Sequence, residues 1–147
     1  MSLLEKLDQD MKQAMLARDE GRLSTLRLLK SAVKYAAIEK SAALSDAEII
    51  QVIQKQIKQR RESIQQFTEG GRREMAAKEE NEARILESYL PKQISQDDLK
   101  KIVEQEVKTQ GAATKKDFGR MMKHLNEKLA GSADNKRLSE ILGGLLK

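Results

Sequence analysis

The sequence predicts an all-α protein: an N-terminal helical-hairpin domain of about four helices, then a small C-terminal three-helix domain. Three observations carry this reading. The 147 residues are rich in Leu, Ala, Glu, Lys, Gln and Ile and contain one proline, a mixture that favours helix. Val, Thr, Tyr, Phe and Trp are scarce, which disfavours sheet. Four segments open with Ser/Thr-x-x-Glu/Asp: Ser2 to Glu5, Ser45 to Glu48, Ser95 to Asp98 and Thr114 to Asp117. In such a box the hydroxyl accepts the third amide and the acidic side chain reaches back to the cap amide.

The first helix is expected from Ser2 to about Arg18, with Leu3, Leu7, Met11 and Ala14 on one face. A second follows Glu20-Gly21 and carries Leu23, Leu26, Leu29, Val33 and Ala37. The third starts at Ser45, uses Ile49, Ile53, Ile57, Ile64 and Phe67, and stops at Gly70-Gly71. Leu44 staples its start against Ile49. The fourth runs from near Arg72 to Tyr89-Leu90, where Pro91 cannot continue it. Its charge-laced middle has Glu74 four residues before Lys78 and Glu80 four before Arg84, the pattern of an exposed helix.

After Pro91 the pattern tightens. Leu99, Ile102, Val103, Glu106 and Val107 mark the fifth helix, with Ile94 and Leu99 as a second staple. Phe118, Met121, Met122, Leu125 and Leu129 mark the sixth, and Leu138, Ile141, Leu142 and Leu145 the seventh. Gly111 and Gly131 fall where helix C-caps belong. The boundary at Pro91 therefore divides residues 1–90 from 91–147, the latter a size at which a core is marginal.

Composition excludes several chemistries. With no cysteine, disulfides, thiolate catalysis and cysteine-based zinc sites are ruled out. His124 is the only histidine and is read as a plain surface or boundary side chain; with no second histidine it cannot form a usual zinc site. Asp97-Asp98 and Glu79-Glu80 are read as helix-start and surface charge, and no phosphate-binding glycine loop is present. No catalytic residue, metal or cofactor is expected. No apolar stretch approaches the ~20 residues of a membrane span. The opening MSLLEKLDQD lacks a secretory pattern, so a cytoplasmic protein is expected.

The net charge is +5, and residues 91–147 hold twelve basic against eight acidic side chains, so nearly all the excess sits in the last third. Lys115, Lys116, Arg120, Lys123 and Lys128 lie along or just before the sixth helix, and Lys136 and Arg137 open the seventh. Lys116, Arg120 and Lys123 are spaced by four and three, which would place them on one face. Such a set either neutralises backbone phosphates or is a solvated helix face, and spacing does not separate the two. The stripes Arg27, Lys30, Lys34 and Lys55, Lys58, Arg61 are read as pairing with acidic residues of neighbouring helices. Met121-Met122 is read as core filler. Two Tyr, two Phe and no Trp leave little to stack on bases, so an RNA partner would be read by backbone and shape.

The stretches LSTLRLLKSAVK (Leu23 to Lys34), LSDAEIIQVIQKQIKQR (Leu44 to Arg60), GGRREMAAKEENEARILESYLPKQIS (Gly70 to Ser95) and DFGRMM…GSADNKRLSEIL (Asp117 to Leu142) resemble the YqeY family in order and over almost the whole chain. The resemblance implies an N-terminal helical domain and a C-terminal domain similar to the tail of the GatB subunit of tRNA-dependent amidotransferase. In that enzyme the tail helps hold tRNA while chemistry occurs elsewhere. Gly119, Arg120, Lys123, Gly131, Ala133, Asp134 and Lys136 carry the correspondence. It implies phosphate contacts by the cations, a turn at Gly131 and a helix cap at Asp134. Ser132 and Asn135 depart from the basic residue and glycine expected there, and Gly143-Gly144 weakens the end of the last helix.

The functional expectation is a tRNA-associated accessory module. Its alternatives are a helical adaptor for a synthetase or amidotransferase, and a component of a carbon–nitrogen ligase with glutamine as amide donor. No membrane or DNA partner is expected.

Overall fold

A computed structural model describes residues 2–147. The chain is all-helical among the described residues: α1 (Leu3–Leu16), α2 (Glu20–Lys40), α3 (Asp46–Glu69), α4 (Arg73–Glu87), α5 (Gln96–Gln110), α6 (Phe118–Leu129) and α7 (Asn135–Leu145). It divides into two compact units that meet in sequence between Leu90 and Pro91.

In the first unit, short connections fold α1 back on α2 and α3 back on α4. Leu7, Leu26, Leu29, Val33, Ile49, Ile53, Leu86 and Tyr89 form its core, with Leu3, Met11, Leu44 and Ile57 packed against it. Ser45 accepts the Glu48 amide at 3.2 Å while the Glu48 carboxylate accepts the Ser45 amide at 3.1 Å, the full reciprocal box. Lys40, the Ser45 amide and the Ser45 hydroxyl hold the Glu48 carboxyl well below its ordinary value, at about 2. Asp19, which has no box behind it, caps α2 by accepting from the Arg22 amide at 3.2 Å. The phenol of Tyr89 donates to Asp10 at 2.5 Å, joining the end of α4 to α1. Burial, then this bond to a carboxylate, pushes the Tyr89 hydroxyl above the ordinary tyrosine range.

Two boundaries of the first unit differ from expectation. Helix α1 stops at Leu16 because Arg18 takes a left-handed φ of 56°. Helix α4 stops at Glu87, where Tyr89 and Leu90 bond back three residues and tighten the chain before Pro91. Nor is α4 an exposed helix. It buries Ala76, Glu82, Ala83 and Leu86, and its acidic residues reach across to α3. Arg60 bonds Glu79 at 3.1 Å and also Glu82, while Arg61 bonds Glu80 at 3.0 Å and also Glu87. The pattern of intrahelical pairs largely records an interhelical network; Glu80–Arg84, at 3.8 Å, is its one intrahelical pair.

In the second unit Leu99, Val103, Met121, Leu125, Ala133, Leu138, Leu142 and Leu146 form the core, with Met122 packed at its edge. The Thr114 box opens a single 3-10 turn, Lys115–Asp117, rather than α6 itself. Asp117 accepts the amides of Ala113 at 3.0 Å and Thr114 at 3.3 Å. Gly111 caps α5 at φ 66°, but α6 is capped by Ala130 at φ 45°, one residue before the Gly131 foreseen there. Two backbone bonds close the unit: Ile94 N–H to the Ser132 carbonyl at 2.9 Å, and Lys147 N–H to the Ala113 carbonyl at 3.2 Å.

Candidate nucleic-acid interface

The cations of the second unit fall into two groups. Lys115, Lys116, Lys123 and Lys136 are exposed, and among the described residues none has an ion-pair partner. Arg120, Lys128 and Arg137 are held by the protein's own acceptors. Arg120 bonds Asp117 at 3.3 Å. Lys128 bonds one oxygen of Glu106, whose other oxygen lies 2.7 Å from Nε2 of His124. Arg137, half-buried, donates to the Ile94 carbonyl at 3.0 Å and pairs with Asp134 at 3.5 Å. These three serve the fold of the unit first.

Two of the carboxylates, Glu106 and Asp117, are shifted accordingly. Lys128, then His124, stabilise the charged form of Glu106 and lower its pKa. The amides of Ala113 and Thr114, then Arg120, do the same for Asp117. His124 is thus one side of a carboxylate clamp that fixes α5 to α6. Among the described residues no three His, Cys, Asp or Glu side chains are placed to hold a metal ion.

Lys116, Arg120 and Lys123, foreseen on one face, fall on two successive elements. Lys116 belongs to the 3-10 turn, so only Arg120 and Lys123 lie on α6, and Glu127 falls on the helical face between them. The remaining cations do not make one cluster. The short 130–134 connection returns α7 antiparallel to α6, and the Lys147–Ala113 bond puts the end of α7 beside the start of the 3-10 turn. Lys136 is therefore separated from Lys115 and Lys116 by most of the length of α6, roughly 18 Å at 1.5 Å per residue. Lys92, Lys100, Lys101 and Lys108, not singled out in the sequence, are also exposed and without ion pairs among the described residues. The excess of basic over acidic residues after Pro91 was the signal that contained them.

The structural motif residues take definite places. Asp134 caps α7 by accepting the Arg137 amide at 2.7 Å. Gly131 adopts φ 88°, where an L side chain is strained, and its carbonyl accepts from Gln93 at 3.0 Å. Gly119, in the first turn of α6, has open space where a Cβ would stand, so nothing in the fold requires glycine there.

These features define a two-unit helical protein whose smaller unit carries a spread of unneutralised lysines on a carboxylate-clamped three-helix frame. The chain belongs to the Yqey-like protein family, whose model matches residues 4–146. Among curated proteins it is similar to altered inheritance of mitochondria protein 41, mitochondrial, of Kluyveromyces lactis, at 40% identity over 84 residues, 56% of this chain and 45% of that one. The protein of that name from Clavispora lusitaniae is 30% identical over 136 residues, covering 89% of this chain and 78% of its own length. The chain spans about half the length of most of the curated relatives it matches. No helix among the described residues is long and apolar enough to cross a membrane.

Proposed function

We propose that the protein is a tRNA-associated accessory module that holds the backbone and shape of folded tRNA through its C-terminal unit. The observation that carries this reading is the set of exposed lysines, Lys115, Lys116, Lys123 and Lys136, left without ion pairs among the described residues, in the unit that holds most of the net positive charge. Their spread over both ends of α6 suits several phosphates of a large, folded anion better than one small ligand. The resemblance of this unit to the amidotransferase tail supports the same partner. Transfer RNA is present both in the cytoplasm, the compartment the sequence suggests, and in mitochondria, where the yeast relatives' name puts them.

The test is fluorescence anisotropy of labelled folded tRNA across a salt series. A linear fall of log affinity with log salt, weakened in the Lys115→Glu/Lys116→Glu/Lys123→Glu/Lys136→Glu variant, is the expected result. No binding at low salt removes the reading. A second reading, a component of a carbon–nitrogen ligase using glutamine as amide donor, rests on the family resemblance alone. It is tested by glutamine-dependent amidation in a reconstituted complex with and without this chain.

A further inference from the structure

The solvent-facing side of α2 has no role in the first unit's core. Leu26, Leu29 and Val33 point inward, whereas Leu28, Tyr35 and Ile38 are 54%, 72% and 72% exposed. Their spacing of seven and three puts them in one stripe along the helix, and the small residues Ser24 and Ser31 lie in the same stripe. Three consecutive anchors at helical spacing, one of them a tyrosine, are the pattern by which one amphipathic helix receives another.

Charge on the same helix selects the partner. Of its five cations, Arg22 faces Asp10 at 3.8 Å, Lys30 bonds Asp8 at 2.5 Å and Lys40 bonds Glu48 at 2.6 Å. The two left without ion pairs among the described residues are Arg27 and Lys34. They are seven residues apart and flank the apolar stripe on one side. The only acidic residues of the helix, Glu20 and Glu39, stand at its two ends. The middle of this face is therefore apolar with a positive border. We propose that it docks an amphipathic helix of a protein partner whose apolar residues are bordered by Asp or Glu. A phosphate backbone would satisfy Arg27 and Lys34 but would leave Leu28 and Ile38 facing a hydrophilic surface, so a protein is the better fit.

The test places p-benzoylphenylalanine at Tyr35 in the full chain, in its native cell, and maps the photocrosslinks by mass spectrometry. The expected product joins residue 35 to a different protein, at an apolar helical position with acidic residues within one turn. Its yield should fall about five-fold or more in the Arg27→Glu/Lys34→Glu background. Crosslinks to a second copy, to nucleic acid or to residues 91–147 of the same chain overturn the proposal. So does a mapped segment without acidic neighbours, a yield indifferent to charge reversal, or no crosslink. Because the stripe is outside the core, Leu28→Ser/Ile38→Ser should melt like the parent, and loss of the crosslink in that variant then reports docking and not unfolding.

Discussion

His124 Nε2 lies 2.7 Å from Oε2 of Glu106, across α5 and α6, on a side chain that is only 8% exposed. A charge so covered persists only with partners, and Lys128 on the other oxygen supplies the second. The bond to Lys128, then that to His124, lowers the Glu106 pKa below its ordinary 4.5. A carboxyl whose folded value is depressed stabilises the native state above its unfolded value and loses that contribution as pH falls through the folded one. The C-terminal unit should therefore lose stability on acidification below about 4.5. Asp117, also lowered, acts in the same direction. Glu106→Gln should melt lower than the parent at pH 7, with the two curves converging toward acid. Melting followed by circular dichroism from pH 7 to 2 checks this, and parallel curves would remove Glu106 from the account.

A second prediction concerns the start of α7. Asp134 accepts the Arg137 amide at 2.7 Å, and its carboxylate faces the positive end of the helix. Asp134→Ala should cost about 1 kcal/mol in chemical denaturation, whereas Asp134→Asn, which keeps the accepting oxygen, should recover most of it. Equal losses in both variants would assign the effect to the Arg137 ion pair instead.

Glycines of this unit should respond with opposite signs. Gly131 at φ 88° would force a Cβ into a strained conformation, so Gly131→Ala should destabilise by about 1–2 kcal/mol. Gly143 lies inside α7, where a Cβ would meet nothing within 4 Å, and Gly143→Ala should stabilise by about 0.5–1 kcal/mol. The helix runs through Gly143 and Gly144 to Leu145 despite both, so the weakening expected of them would be fraying and not an early end. Hydrogen exchange of the Leu145 and Leu146 amides in Gly143→Ala measures it directly.

What could be read from the sequence was what is decided locally. Ser45 and Glu48, three residues apart, form the box their identities imply, and Asp134, where the family resemblance implied a cap, caps the helix beginning at the next residue. Apolar spacing located both cores for the same reason. Contacts decided at a distance were not legible. Glu80 lies four residues before Arg84 whichever cation it serves, and only packing shows its stronger partner to be Arg61, on another helix. Asp10 and Tyr89 are 79 residues apart and belong to no pattern. Ala130 carries no local sign of a left-handed φ, which the cap of α6 imposes on it. At the candidate interface, Lys128 reads like Lys123 in sequence; Glu106, from another helix, takes one and leaves the other.

That distinction gives the last prediction. If folded tRNA binds the second unit, the lysines that touch it should be those the protein leaves unpaired. Each phosphate that a substitution leaves unneutralised should reduce the slope of log affinity against log salt by about 0.9 or somewhat less. Lys123→Ala and Lys136→Ala should each lower both affinity and slope while leaving the melting curve nearly unchanged, because among the described residues neither side chain has an ion pair to lose. Lys128→Ala should do the reverse. It strips one partner from the covered Glu106 carboxylate, so the unit should melt earlier, while the slope at a temperature where it is still folded should stay close to the parent value. Anisotropy titrations at four salt concentrations, paired with melting of the same samples, separate the two classes. A Lys128→Ala slope reduced as much as that of Lys123→Ala would mean that RNA displaces Glu106 and recruits the clamp. The division between structural and binding cations drawn from the free protein would then fail.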